Sequence, residues 1–356
     1  MTSPELHVLV PGPLEQRTGG YIYDAHAVAG LRDLGWRVEV HNLQGSFPGG
    51  GDGAESALMT ALGALPNGAW VVVDGLAMGG FPEPIKAHGD RLRILALVHH
   101  PLADETGLSA ADKERFTESE RRALQYCSGV IVTSRYTATR MRDYGVEPGR
   151  IRAVLPGTEP ARLSAGPGTG QPPALLCVAS VTRRKGHDVL VRALALVRDL
   201  RWTCVCAGSL DRDPAYARSV LAEVDEAGLS DRIDFVGEYD NESLDTLYGQ
   251  SSLFVLASYY EGYGMALTEA LARGIPVVST TGGAIPFTVP DDASILVAPG
   301  DELALAHALR RLLEDTPDAI GLRHELAAAA RRRTPELPSW IDSALAFSDA
   351  VKELSA

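Results

Sequence analysis

The chain has 356 residues, enough for two ordinary domains, and 45% of them are hydrophobic while only 6% are aromatic. Its 33 basic and 46 acidic residues give a formal net charge of −13, which argues against nucleic acid or an anionic membrane as a partner. No apolar run approaches the roughly 18–20 residues of a membrane span, and the N-terminus lacks the basic and apolar regions of a signal peptide.

The first half of the chain alternates strand and helix patterns. A helical spacing runs from Tyr23 to Leu34. Buried-strand patterns stand at Leu6–Val10, Gly35–Val40, Trp70–Asp74, Ile94–Val98 and Ser128–Thr133. Because uninterrupted apolar runs of this length fit strands covered on both faces, we predict a parallel sheet.

A Gly/Pro-rich segment, Ala165–Pro173, marks a linker, after which the alternation restarts. The predicted strands are Ala174–Ala179, Trp202–Ala207, Ile233–Val236, Leu253–Leu256, Pro276–Val278 and Ser294–Val297. The predicted helices are Gly186–Leu200, Ala215–Ala227, Leu303–Leu313, Gly321–Arg333 and Trp340–Leu354. Two doubly wound α/β domains in series, residues 1–165 and 166–335, follow from this order. We expect the ligand in a cleft between them and the helix of residues 336–356 packed back on the first.

The cysteines and one acidic pair have simple structural explanations. Cys127, Cys177, Cys204 and Cys206 form no Cys-x-x-Cys pair and three lie in predicted strands, so we interpret them as reduced core residues of a cytoplasmic protein. Asp211 and Asp213 match a short metal-binding pattern. Their turn-like surroundings favour a helix cap instead.

Glu261 and Glu269 are the most informative residues of the chain. A strand pattern precedes them, a glycine turn separates them, and the second lies in an Ala/Leu-rich helix pattern. Strand, glycine turn and helix together present backbone N–H groups to an anion. Gly264, Met265, Ala266 and Leu267 would supply these N–H groups, and Gly262 and Tyr263 are the other ligand-binding residues predicted in this turn. Two acids beside an anion site suit a ligand that combines phosphates with hydroxyls, as a nucleotide sugar does.

Three adjacent cations follow the first strand of the second domain. They are Arg183, Arg184 and Lys185, and a helix pattern begins just after them. Lysine supplies a compact charge and arginine a bidentate fork, so the cluster suits a pyrophosphate.

The chain resembles the retaining glycosyltransferases of family 4, which share the GT-B architecture of two Rossmann-like domains. Glu261 and Glu269 match that family's Glu-x7-Glu signature, and the resemblance is dense from 174 to 300 and sparser before. The other matching pieces are Thr18-Gly-Gly20, Val132-Thr-Ser134, Leu155-Pro-Gly157-Thr, Arg184-Lys-Gly186, Phe235-Val-Gly237, Ser258-x-x-Glu261-Gly-Tyr-Gly264, Glu269-Ala-Leu-Ala-x-Gly274 and Gly282-Gly283.

The resemblance implies transfer of a sugar from a nucleotide diphosphate with retention of configuration. Glu261 would contact the hydroxyls of the donor sugar, Glu269 the ribose and Lys185 the diphosphate. Gly19 and Gly20 would approach the reacting phosphate and the acceptor. Same-face attack, helped by the leaving phosphate, needs neither a covalent glutamate nor a metal, because cations and helix dipoles stabilise the diphosphate. No cofactor is expected beyond the nucleotide diphosphate sugar, a UDP- or GDP-sugar carrying a hexose.

The first domain is expected to bind the acceptor. Relatives place a histidine after the strand that ends at Val98, near the donor sugar, and we favour His99 over His100. We therefore expect His99, Glu261 and Lys185 to carry the catalytic roles. Candidate acceptor-site residues are Thr18, Tyr21, Asp74, His100, Asp104 and Glu105.

A soluble small molecule is the expected acceptor, without stable membrane association. The polar face of the helix at 23–34 is mixed, with Asp24, Arg32 and Asp33, and it lacks the cation cluster that would hold an anionic bilayer. The oligomeric state is not readable from the sequence.

Two positions depart from the family pattern. Ser180 stands where an arginine is usual, so Arg183 or Arg184 would supply that charge. Phe287 stands where a glutamate usually follows the Gly-Gly pair. These departures give weight to one alternative, a catalytically silent nucleotide-sugar binding protein. A nucleotide-sugar epimerase and a phosphorylase of the same architecture are two further alternatives. A nicotinamide enzyme is disfavoured because the turn lacks the third small residue of the dinucleotide fingerprint.

Overall fold

The computed structural model of the chain describes residues 3–49 and 53–355. The chain divides into two units, one made of Met1–Gly157 with Pro338–Ala356 and the other of Thr158–Leu337. The division falls at residue 157 rather than 165 because the intervening segment is bonded to the second unit. Ser164 donates through Oγ to the carbonyls of Gly249 and Ser251, at 3.0 and 2.7 Å.

Each unit contains a six-stranded sheet. The strands of the first sheet are β1 Glu5–Pro11, β2 Arg37–Leu43, β3 Trp70–Asp74, β4 Arg93–Val98, β5 Gly129–Val132 and β6 Ile151–Ala153. Those of the second are β7 Ala174–Val178, β8 Thr203–Ala207, β9 Ile233–Gly237, β10 Leu253–Leu256, β11 Val277–Thr280 and β12 Ser294–Val297. The strand orders are β2-β1-β3-β4-β5-β6 and β12-β11-β10-β7-β8-β9, with every pairing parallel.

Helices follow most strands. Those of the first unit are α1 Gly19–Asp33, α2 Ala54–Ala64, α3 Gly75–Met78, α4 Pro82–His88, α5 Ala110–Gln125 and α6 Arg135–Asp143. Those of the second are α7 His187–Ala195, α8 Pro214–Glu226, α9 Asn241–Gly249, α10 Met265–Ala272, α11 Ile285–Thr288, α12 Glu302–Leu313 and α13 Pro317–Arg333; α14 Trp340–Leu354 returns to the first. Among the described residues, no helix combines the length and the apolar character that crossing a membrane requires.

The core of the first unit lies on both faces of its sheet. Leu9 and Val71 belong to a buried cluster with Leu58 of α2, whereas Val8 and Val72 belong to another that includes α1 and α14. Residues that alternate along a strand therefore face opposite helix layers, which confirms the predicted doubly wound arrangement.

The last helix packs on the first. Ser339 and Asp342 form a capping box at the start of α14. A Cβ placed on Gly30 of α1 would lie 2.5 Å from the Cβ of Ala344, so α1 and α14 pack at a separation that glycine allows. Trp36 Nε1 donates to Ser348 Oγ at 3.0 Å. These contacts place residues 338–356 in the first unit.

Helix α1 begins earlier than the sequence predicts. Its pattern starts at Tyr23, but the helix includes Gly19 and Gly20, with Thr18 at the N-cap position. Glycine is a poor helix former, which is why the pattern alone reads as a loop. A tertiary contact accounts for Gly20, because a Cβ there would lie 3.2 Å from His99 Cδ2.

Candidate active site

A buried carboxylate lies at the carboxyl end of the second sheet, in the loop between β10 and α10. Glu261 is only 5% exposed, and Ser258, fully buried, donates through Oγ to its Oε1 at 2.6 Å. A charged group this deep needs compensating partners, since an unpaired buried charge is strongly destabilising.

The partners come from the loop between β7 and α7. Lys185 Nζ lies 2.6 Å from Glu261 Oε1, and Arg184 Nη1 lies 3.5 Å from Glu261 Oε2. Arg184 also donates to the carbonyl of Tyr260 at 2.9 Å. Strands β7 and β10 are neighbours in the sheet, so two loops meet in a cluster of two cations and one carboxylate. This cluster retains a net positive charge that can receive an anion.

The cluster sets the protonation of Glu261. Burial opposes ionisation of this carboxyl, but the charges of Lys185 and Arg184, with the hydrogen bonds from Lys185 and Ser258, outweigh burial and hold its pKa below the ordinary value. Burial and the positive charge of Arg184 lower the pKa of Lys185, although the negative charge of Glu261 acts in the opposite direction. We take the ion pair as formed at neutral pH, because the contact between the two groups is direct and short.

Two glycines allow the loops around Glu261 to approach one another closely. Gly186 has φ +65°, and a Cβ there would lie 2.2 Å from the carbonyl oxygen of Ala257. Gly283 has φ +62°, and its Cβ would lie 2.4 Å from the carbonyl oxygen of Glu261. That same oxygen accepts a hydrogen bond from Ala284 N at 2.8 Å. Any larger residue at either glycine would displace the backbone that carries Glu261.

The first turn of α10 supplies backbone groups beside Glu261. Gly264 is its N-cap with φ +96°, and Met265 and Ala266 are the first helical residues, whose N–H groups have no intrahelical partner. The sequence predicts that the N–H of Leu267 is also offered to the ligand. In the structure this N–H instead donates to the Gly264 carbonyl at 2.9 Å. The carbonyl of Tyr263 accepts from Thr288 Oγ1 at 2.7 Å, which fixes the loop.

Glu269 lies one turn into α10 and has a partner that the sequence does not reveal. The hydroxyl of Tyr248 donates to its Oε2 at 2.8 Å, and Tyr248 is itself 1% exposed. Burial raises the pKa of Glu269, against the hydrogen bond from Tyr248 and the charge of Arg273. Arg273 also stacks over the Tyr248 ring, 4.4 Å from its centroid. Tyr248 therefore orients this carboxyl from a helix 21 residues away.

Arg183 and Arg184, the two candidates for the charge that is absent at Ser180, have different surroundings in the structure. Arg184 faces Glu261, whereas the guanidinium of Arg183 lies 5.5 Å from the ring centroid of Tyr216. The second departure, Phe287, is 64% exposed on α11.

The remaining candidates of the second unit have structural roles. Asp213 accepts a hydrogen bond from Tyr216 N at 3.1 Å, which confirms it as the N-cap of α8. Asp211 N bonds to Ser209 Oγ at 3.1 Å in the same turn. All four cysteines are free and buried.

A second charged cluster lies at the carboxyl ends of β3 and β4 in the first unit. His99 Nε2 lies 3.1 Å from Asp24 Oδ1 and 3.4 Å from Asp74 Oδ2. Asp24 is 2% exposed and Asp74 is 6% exposed, while the His99 side chain is 20% exposed. The sequence predicts Asp24 on the polar face of its helix, and this prediction is wrong because the carboxylate is buried against His99.

The two carboxylates keep His99 protonated. Burial alone lowers the pKa of this imidazole, but Asp24 and Asp74 outweigh burial and raise it to about 10. Burial raises the pKa of Asp24 to about 6 although His99 acts in the opposite direction. At neutral pH the imidazolium therefore commits its Nε2 side to the carboxylates and retains the Nδ1 N–H as a hydrogen-bond donor.

The other predicted acceptor residues lie at the start of α1 and in the segment after β4. The Tyr21 hydroxyl donates to the Pro11 carbonyl, and Thr18 accepts from Ile22 N through its carbonyl at 2.9 Å. His100 Nε2 lies 3.5 Å from Glu105 Oε2. Asp104 is held by Arg140 in a bidentate pair at 2.8 and 3.0 Å. Asp104 therefore has a structural partner that favours a loop-fixing role over acceptor binding.

Residues 165–333 match the sequence profile of the family described as Glycosyl transferases group 1. The D-inositol 3-phosphate glycosyltransferase of Mycobacterium sp. (strain KMS) is 30% identical over 209 residues, 56% of this chain and 47% of that protein. The lipopolysaccharide core biosynthesis mannosyltransferase LpsB of Rhizobium meliloti (strain 1021) is 30% identical over 224 residues, 59% of this chain and 62% of that protein. In both cases the match spans less than two thirds of the relative.

Solved structures resemble the chain over nearly its full length. Sucrose-phosphate synthase from Thermosynechococcus elongatus superposes with a TM-score of 0.82 at 23% identity, covering 99% of both chains. Anabaena Alr3699/HepE in complex with UDP and glucose gives a TM-score of 0.74 at 16% identity, covering 98% of this chain and 99% of that one. These likenesses confirm the predicted GT-B fold of two Rossmann-like domains.

Proposed function

We propose that the chain is a glycosyltransferase that moves a hexose-type sugar from a UDP- or GDP-sugar to a soluble small-molecule acceptor, with retention of configuration and without a metal. The observation that carries this proposal is the cluster of Lys185, Arg184 and Glu261 beside the first turn of α10. The profile match over this unit supports the same activity.

Donor binding uses the cluster in two ways. The Lys185 ammonium and the Arg184 guanidinium, both about one-fifth exposed, provide charge for a diphosphate, and the N–H groups of Met265 and Ala266 add neutral donors. Glu261, ionised and fixed by Ser258, accepts hydrogen bonds from sugar hydroxyls. Glu269, oriented by Tyr248, accepts from the ribose hydroxyls.

The chemistry follows from what these groups can do. As the glycosidic bond to the diphosphate lengthens, negative charge grows on the phosphate oxygens, and Lys185 and Arg184 stabilise it. The acceptor hydroxyl attacks from the face that the diphosphate leaves, and its proton passes to the departing phosphate. Glu261 positions the sugar and forms no covalent bond in this scheme, unlike the nucleophile of a retaining glycosidase.

The first unit is proposed to bind the acceptor and to present the His99 imidazolium as a hydrogen-bond donor. Its charge is held by Asp24 and Asp74, so the group donates without acting as a base. Arg184, rather than Arg183, is proposed to supply the charge that Ser180 lacks, because Arg184 faces Glu261.

A two-stage experiment tests the proposal. A thermal-shift screen of nucleoside diphosphates and their sugars comes first, because a ligand that binds only the folded state raises the unfolding temperature. The best donor is then incubated alone and with candidate acceptors, and the products are followed by NMR. We expect slow donor hydrolysis alone, and transfer with the donor's anomeric configuration retained. An epimerised donor, phosphate-dependent cleavage, inversion, or binding without any turnover would each contradict the proposal.

A further inference from the structure

Three side chains with metal-ligating atoms share one face of β1 and β2, away from the residues discussed above. His7 lies on β1, and Glu39 and His41 lie two residues apart on the edge strand β2. The strand register pairs His7 with Glu39. Because side chains of a strand alternate between its faces, Glu39 and His41 point to the same side as His7.

The donor atoms are spaced as a tetrahedral ion requires. His7 Nδ1 lies 3.1 Å from His41 Nε2 and 3.5 Å from Glu39 Oε2. All three ligand atoms lie within 4.8 Å of one another. Zinc-to-nitrogen and zinc-to-oxygen bonds of about 2.0–2.2 Å separate tetrahedral ligands by about 3.3 Å. The two imidazole rings are tilted by 45° rather than stacked, so both nitrogens can face one centre.

The surroundings also suit a cation. His7 is 6% exposed, whereas the Glu39 side chain is 55% exposed, so the cluster has one buried side and one side open to water. Two imidazoles, one carboxylate and one water form a complete set for a divalent transition-metal ion.

We propose that His7, Glu39 and His41 form a site for a divalent transition-metal ion of the zinc type. Its role is to fasten the edge strand β2 to β1. His7 lies four residues before the carboxyl end of β1 at Pro11, about 13 Å along the strand, so the ion takes no part in sugar transfer.

Two other groups of possible metal ligands occur among the described residues. Asp24, Asp74 and His99 form the ion pairs described above, so their charges already compensate one another. The competing metal site is therefore the group of Cys177, His187 and Cys206. All three of its members are buried in the core of the second unit, and the side chains are 2% exposed or less. The group is therefore shielded from solvent, and three protein donors alone do not complete a tetrahedron. Binding at this group can be recognised in the test below, because its cysteines would give a sulfur-to-cobalt charge-transfer band that His7, Glu39 and His41 cannot give.

Cobalt(II) titration of the untagged, metal-free full chain tests the site, because tetrahedral Co²⁺ has characteristic visible d–d absorption. We expect one Co²⁺ per chain, no sulfur-to-cobalt charge-transfer band, and an unfolding temperature that rises with added Zn²⁺. Loss of a residue that only supports a metal ligand costs about 10–100-fold in metal affinity. His41→Gln removes a ligand itself, so it should weaken binding by more than this. Glu39→Gln, at a largely exposed position, provides a second variant that keeps the strand intact.

Matched controls make the outcome decisive. His307→Gln changes an exposed histidine on α12 and should bind as the unmodified chain does. Cys177→Ser should also retain the visible bands. The proposal is overturned by the absence of saturable binding, by binding that survives both His41→Gln and Glu39→Gln, or by a charge-transfer band that Cys177→Ser removes.

Discussion

Replacing Asp24 by asparagine should lower the pKa of His99 by roughly two units, from about 10. Asp24 Oδ1 lies 3.1 Å from His99 Nε2, while Asp74 lies 3.4 Å away on the other side. The substitution removes one charge and keeps the shape, so His99 remains in place with Asp74 as its only carboxylate. The imidazolium is then less strongly favoured over the neutral ring.

The size of the effect follows from the buried pair. Removing one partner of a buried ion pair costs about 3–5 kcal/mol, and the lower end applies here because Asp74 remains. One pKa unit corresponds to about 1.4 kcal/mol, so about 3 kcal/mol corresponds to roughly two units. The pKa of His99 should therefore fall from about 10 to roughly 8.

The same values fix the direction of the stability change with pH. The pKa of His99 is raised from 6.5 to about 10, so its contribution to stability is complete below pH 6.5 and is lost as the pH rises through about 10. The pKa of Asp24 is raised from 3.8 to about 6, so ionising this buried carboxyl works against folding as the pH rises across that interval. In the Asp24→Asn variant, the loss of stability that ionisation of Asp24 causes should disappear entirely. The loss of stability that deprotonation of His99 causes should occur at lower pH.

NMR titration of the His99 Cε1–H resonance measures the pKa directly. The resonance is assigned with a His99→Gln variant, and Asp33→Asn, an exposed change on the same helix, is the matched control. We expect titration near pH 8 in the Asp24 variant and near pH 10 in the unmodified and Asp33 proteins. Unmodified His99 titrating near 6.5, or an Asp24 variant that titrates like the unmodified protein, would refute the reasoning.

Three further predictions concern the second unit. Glu261→Ala should lower turnover with a smaller effect on nucleotide binding, whereas Glu269→Ala should weaken nucleotide binding first. Steady-state kinetics measure the first effect and nucleotide titration the second. Unchanged turnover and nucleotide affinity in both variants would refute the assignment of these residues to the donor site. Gly186→Ala should lower the free energy of unfolding by roughly 1–3 kcal/mol in urea titrations, because its Cβ would lie 2.2 Å from a carbonyl oxygen, while Gly149→Ala, with nothing within 4 Å, should stay within about 0.5 kcal/mol. Turnover should continue in EDTA below the unfolding transition; a complete loss that added metal restores would contradict metal-independent transfer.

The sheets were predictable because their signal is local. Strands such as Trp70–Asp74 are short apolar runs with no alternation, which parallel sheets require, and the structure has this strand at the same residues. Helix ends were less accurate. The pattern predicts a helix to Leu200, but α7 ends at Ala195. The prediction is too long because apolar residues continue past the end of the helix through Val197, which packs into the core.

The contacts of the candidate site depend on tertiary structure. Glu261 and Lys185 could be named separately from their loops, but their ion pair joins residues 76 apart in the chain. Asp24 was missed because an aspartate on an amphipathic helix usually faces water, and its partner His99 lies 75 residues away. Tyr248 was missed for the same reason, since a tyrosine in a helix gives no sign of which carboxylate it will meet.

The most direct test of the account is calorimetric titration of the unmodified and Lys185→Gln proteins with the nucleoside diphosphate that the thermal-shift screen selects. A hydrogen bond to a charged group contributes about 1.5–3 kcal/mol, so removing the ammonium should weaken binding by roughly 10–150-fold. Lys113→Gln, the same change at an exposed lysine of α5, should bind as the unmodified protein does. Equal affinity in the Lys185→Gln and unmodified proteins would contradict the placement of the diphosphate at this cluster.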